Sequence, residues 1–96
     1  MPSSLRSLAH QTLIRRLKQA RKAAGLRQAQ VAQRLGVPQS YVAKVEGGER
    51  RLEVLEFIRL ARVLEIDPAQ LVAEMAGVLL VEDNPFGQVG ADEAPN

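Results

Sequence analysis

Along residues 28–47, QAQVAQRLGVPQSYVAKVEG, the apolar positions fall into two short helical registers separated by one glycine. Val31, Ala32 and Leu35 lie one and three residues apart, which gathers them on one face of a helix over 28–35. After Val37, Val42 and Val45 repeat the three-residue step in a second helix over 38–46. Gly36 between them can take the positive φ that ends a helix at no steric cost, and Ala32 is small enough for two helices to cross closely. The remaining side chains of the second segment, Gln39, Ser40, Tyr41, Ala43 and Lys44, are largely polar and are expected to face outward.

Amphipathic segments flank this unit on both sides. From Leu5 the apolar residues recur at 5, 8, 9, 13, 14, 17, 20 and 24, predicting a long helix over 5–24 that ends before Gly25. Ser3 or Ser4 is its expected cap. The first turns either extend this helix or form a short separate one. Gly47 and Gly48 stop the second motif helix, and Glu49, Arg50 and Arg51 form a basic loop. Residues 52–66, LEVLEFIRLARVLEI, predict a fourth helix with Leu55, Ile58, Ala61 or Leu60, and Leu64 toward the core. Val54 and Phe57 widen its apolar stripe beyond one core face. Asp67 and Pro68 read as cap and first residue of a fifth helix continuing over 69–75, with Leu71 and Val72 packing back on the first. The run VLLV at 78–81 is either a last helical turn or an extended segment, and the acidic, Gly- and Pro-rich stretch 82–96 is expected to be a mobile tail. The division expected is a helical domain over 1–76 and a C-terminal extension over 77–96.

Composition narrows the class. Ninety-six residues suit one small domain, and with 46% apolar but only 3% aromatic residues its core must be built from Leu, Val, Ile and Ala, a palette of helices packed on helices. The absence of cysteine excludes disulfides and thiolate metal sites. No apolar run approaches the roughly 18 residues of a membrane span, and MPSSLRSLAHQTLIRR lacks the apolar core of a signal peptide, so a cytoplasmic location is expected. The net charge of +2 conceals an asymmetry: residues 1–51 carry +9, residues 52–76 carry −3 and residues 77–96 carry −4. A basic half that coincides with the two-helix unit is the footprint of a polyanion binder. Catalysis has little support, because His10 is the single histidine, no Gly-rich phosphate loop occurs, and no serine has a nearby base. Glu53 and Glu56 share a helix face, read as solvated. No cofactor and no metal are expected.

Two short helices with a tight glycine turn and a polar second helix form a helix-turn-helix, the arrangement that places its second helix in the DNA major groove. Gln28, Ala32, Gly36, Val42 and Val45 resemble the Xre-type (Cro/lambda-repressor-like) family, and the match extends back to Arg21, Gly25 and Leu26 and forward through residues 46–50 to about Leu71. The resemblance implies an all-α, five-helix lambda-repressor-like domain that binds double-stranded DNA as a transcriptional regulator. By the same resemblance Gln39, Ser40 and Lys44 occupy base-reading positions. Gln39 would suit adenine N6 and N7, and Lys44 guanine O6 and N7. Gln28 is expected to reach a backbone phosphate and brace the recognition helix, with Arg27, Arg50 and Arg51 as further phosphate contacts. Tyr41 either packs, touches phosphate or reads a base. Relatives pair Arg21 with Glu46, tying the first helix to the third; the alternative is an Arg21 that contacts phosphate alone. Arg27 and Pro38 stand where the family often has hydroxyl caps, and Leu52 where it often has Pro. Repression as a homodimer is the expected role. An antitoxin holding a toxin, and a protein-interaction adaptor on the same fold, are the alternatives.

Overall fold

The computed structural model describes residues 7–83 and consists there of five helices with no strand: α1 (Leu8–Ala23), α2 (Gln28–Leu35), α3 (Gln39–Glu46), α4 (Val54–Val63) and α5 (Pro68–Asp83). The all-α, five-helix architecture expected from the apolar spacing is the one observed. α2 crosses both α3 and α4, while α1 lies against α3 and α5, so α1 and α2 hold the third helix from behind. The core is aliphatic, as the scarcity of aromatics requires. Leu17, Val31 and Val45 are its largest fully buried side chains, and Ile14, Leu26, Ala32, Val42, Leu60, Leu64 and Leu71 pack with them. Each fully buried Leu or Val stabilises the fold by about 1.5–3 kcal/mol relative to exposure.

The helix ends share one device. After α1, the Leu26 N–H donates to the Arg21 carbonyl at 3.1 Å and the Gly25 N–H to that of Lys22 at 3.0 Å. The same paired bonds close α2 at Gly36 and Val37, α3 at Gly48 and Glu49, and α4 at Glu65 and Ile66. This Schellman closure needs one residue in the left-handed region. Gly25, Gly36 and Gly48 supply it with φ between 73° and 77°, but at the end of α4 the residue is Glu65, at φ 61°.

Several boundaries differ from those the apolar spacing predicts. α1 begins at Leu8, capped by the Ser7 hydroxyl, which accepts the His10 N–H at 3.0 Å. The expected start at Leu5 and the caps Ser3 and Ser4 lie outside the described residues. Pro38 is the N-cap of α3, not its first helical residue, with extended backbone at ψ 152°. α4 starts at Val54 because the Glu53 carboxylate accepts the Leu55 and Glu56 N–H groups while the Glu56 carboxylate accepts that of Glu53. The two glutamates thus form a capping box, not a merely solvated face. Leu55 is 58% exposed and is not a core residue. The stripe that packs is Phe57, Leu60, Ala61 and Leu64, spaced i, i+3, i+4 and i+7, and Leu55 falls well off that face.

The largest difference is in α5. Asp67 does cap it, its carboxylate accepting the Ala69 N–H at 2.9 Å. The helix then continues past 75, through Gly77 and the VLLV run, to Asp83. Leu71 is buried but Val72 is 55% exposed. What carries the helix on is tertiary. The Glu82 carboxylate accepts the Leu8 and Ala9 N–H groups at 2.8 and 3.0 Å, binding the end of α5 to the start of α1. The rest of the expected tail, 84–96, lies outside the described residues.

Candidate nucleic-acid interface

α3 is anchored by its apolar side and offered by its polar one. Val42 and Val45 are buried, whereas Gln39, Ser40, Ala43 and Lys44 are exposed on the opposite face. The chain folds this way locally because Gly36 reverses direction within one residue and Pro38 forbids continuation of α2, so the two helices must cross.

The orientation of α3 is set by a partly buried polar network at its C-terminal end. Arg21 Nε donates to Glu46 Oε2 at 2.6 Å and its Nη2 to Oε1 at 3.0 Å, a two-pronged pair with side chains 12% and 7% exposed. Arg21 Nη1 also donates to the Leu26 carbonyl at 2.8 Å, and Gln28 Nε2 donates to Glu46 Oε1 at 3.0 Å. One carboxylate therefore ties α1 and the start of α2 to α3, and the same arginine holds the α1–α2 turn. Such bidentate, charge-assisted bonds fix direction as well as distance. A carboxylate left at this depth without its arginine would cost roughly 3–5 kcal/mol.

The other candidate residues are distributed around this frame. Arg27 is exposed at the N-cap of α2, where the Gln30 side chain accepts its backbone N–H at 2.8 Å. Half of a capping box thus compensates for the missing hydroxyl cap. Gln28 is half-buried, one amide hydrogen given to Glu46. Arg51 is exposed on the loop after α3. Arg50 is drawn inward. Its Nη2 donates to Glu56 Oε2 at 2.8 Å, its Nη1 to the Arg51 carbonyl at 3.2 Å, and its guanidinium lies 4.6 Å from the centroid of the Tyr41 ring. Tyr41 is half-buried against the core, and burial, with the Glu56 charge second, raises its hydroxyl above the ordinary value. Glu56 thus joins the site from α4, and its sequence signal is the Glu53–Glu56 spacing of three, which is that of a capping box.

Among the described residues no group of three histidines or carboxylates could hold a metal ion, and no helix is long and apolar enough to cross a membrane. The arrangement is a rigidly held helix with a polar outer face set in the basic half of the chain, which defines a helix-turn-helix DNA-binding module. Residues 17–71 match the helix-turn-helix family. An XRE-family like protein from Pseudomonas syringae pv. tomato str. DC3000 has a solved structure 43% identical in sequence, superposing with a TM-score of 0.69 over 73% of this chain and 85% of that one. No curated protein matches the chain. The chain belongs to the Xre-type helix-turn-helix family of DNA-binding regulators.

Proposed function

We propose that this protein is a transcriptional repressor that occupies a specific double-stranded DNA site as a homodimer, with α3 in the major groove. Gln39, Ser40 and Lys44 read base edges, and Arg27, Gln28 and Arg51 contact flanking phosphates. The observation that carries this reading is the pairing of an exposed polar α3 face with the Arg21–Glu46–Gln28 network that holds it at a fixed angle. Readout by a few side chains requires such rigidity, because a bidentate contact worth about 1–3 kcal/mol of base discrimination is lost if the helix can rotate.

Homodimerisation is supported by the apolar surface left uncovered where α4 and α5 meet. Leu13, Val54, Phe57, Val72, Met75 and Leu79 line a groove of about 290 Å³, and Val54, Val72 and Leu79 are 70%, 55% and 42% exposed. The groove is formed by α1, α4, α5 and the loop before α4, leaving α3 free. A two-fold pairing there doubles the length of DNA read.

The test is selection of preferred duplexes from a random pool, followed by binding titrations across salt concentrations. A specific reader gives a steep negative salt slope and an affinity for its site well above background. Lys44→Ala should weaken the selected site by about 1–3 kcal/mol and relax the base preference at one position. Recovery of no preferred sequence would overturn the proposal in favour of a protein-interaction adaptor on the same fold.

A further inference from the structure

We infer that Arg50 is an internal positioning residue: with Tyr41 and Glu56 it forms a clasp that sets the loop after α3, and it influences DNA through that loop without touching phosphate. The inference rests on the DNA-binding reading for its main readout and assigns Arg50 a role different from the one its basic character suggests.

The clasp joins three elements. Tyr41 comes from α3, Arg50 from the connecting loop and Glu56 from the first turn of α4. Both terminal nitrogens of Arg50 are engaged, Nη2 by Glu56 Oε2 at 2.8 Å and Nη1 by the Arg51 carbonyl at 3.2 Å. Its flat face is covered as well, lying 4.6 Å from the Tyr41 centroid in a cation–π contact. The pair is partly withdrawn from water, with side chains 39% and 24% exposed. Glu56 is itself fixed, because its other oxygen accepts the Glu53 N–H at 3.0 Å. Two of the five guanidinium N–H donors are spent in this way, and a phosphate approaching Arg50 would meet the charge of a carboxylate already held beside it.

The loop needs such a tie. It opens with Gly47 and Gly48, the second at φ 77°, and glycines leave a backbone with more freedom than a contact surface can use. Closing the loop onto both flanking helices fixes where exposed Arg51 is presented. Arg51 is then the loop's phosphate contact, and Arg50 its hinge pin.

Binding to the selected duplex is measured as a function of salt for wild type, Arg50→Gln, Glu56→Gln and the double Gln variant, with thermal unfolding of each. The clasp predicts that either single Gln variant weakens binding on the order of tenfold with an unchanged salt slope. The double Gln variant is no worse than the weaker single one. A direct phosphate contact predicts the opposite: Arg50→Gln makes the salt slope shallower by about 0.9, and Glu56→Gln leaves or tightens binding. That pattern would overturn the inference. If the wild type prefers no duplex, the DNA reading fails separately, and unfolding midpoints decide the clasp: non-additive losses for the two Gln variants support it, additive losses remove it.

Discussion

Glu65 carries a conformation that three glycines carry elsewhere in the same fold. At φ 61° it closes α4 with the bonds that Gly25, Gly36 and Gly48 make after the other helices. A Cβ in the left-handed region costs about 1–2 kcal/mol, partly offset by the lower chain entropy of a non-glycine residue when unfolded. Glu65→Gly should therefore stabilise the protein by about 0.5–1 kcal/mol and raise its thermal midpoint by a few degrees, as calorimetry would show. His10 holds the reverse kind of tension. Its Nε2 is buried with no hydrogen-bond partner, and burial first, then the Arg51 charge, lower the imidazole below its ordinary value of 6.5. The unfolded chain then binds a proton that the folded one refuses. Stability is full above about pH 6.5 and falls as pH drops from there through the folded value. Chemical denaturation at pH 7.5 and 5.0 should show a smaller difference in His10→Gln than in the wild type.

Between elements, the decisive bonds come from residues far apart in the chain. Glu82 places a carboxylate on the free N–H groups of Leu8 and Ala9, where the α1 dipole favours negative charge, and so joins both ends of the described chain. Glu82→Gln keeps one acceptor but loses the charge; a loss of about 0.5–1 kcal/mol is expected, with faster amide exchange at Leu8 and Ala9 than at the α2 amides. Arg16 and Glu74 add a second link between α1 and α5, at 2.9 Å. It is largely solvated, and its hydrogen bond holds the Glu74 carboxyl below its ordinary value without making the pair a major source of stability. The motif itself was legible without these links. The spacing of Val31, Ala32 and Leu35, the glycine at 36 and the step from Val42 to Val45 are local signals, and α2 and α3 lie within one residue of where that spacing puts them. α5 was not legible to its end. A short β-branched and leucine run does not distinguish helix from strand, and the contact that favours helix there, Glu82 on α1, is separated by over seventy residues.

At the scale of the molecule, the two faces differ in kind. One presents the polar side of α3; the other is the apolar surface around Val54, Val72 and Leu79, whose exposure runs from 42% to 70%. An apolar surface of that kind on a small domain signals a partner. Leu79→Glu places a charge in the groove while α5, a helix that glutamate suits, is retained. If the protein pairs as proposed, sedimentation at tens of micromolar should report a dimer for the wild type and a monomer for this variant, with weaker binding to a two-fold DNA site but little change on a half-site.

The amino-acid sequence determined by itself the helical class, the two-helix motif and its outward polar residues, and the family, because each follows from periodicity, glycine placement and side-chain chemistry within a few neighbouring positions. Only the tertiary structure decided which cation is free and which is engaged. Arg50 and Arg51 are equivalent in sequence, yet one is folded onto Tyr41 and Glu56 while the other is exposed. It also decided that Glu46 accepts from both Arg21 and Gln28, and that Leu55 faces water. These outcomes depend on how helices cross, and a crossing is set by the whole core at once.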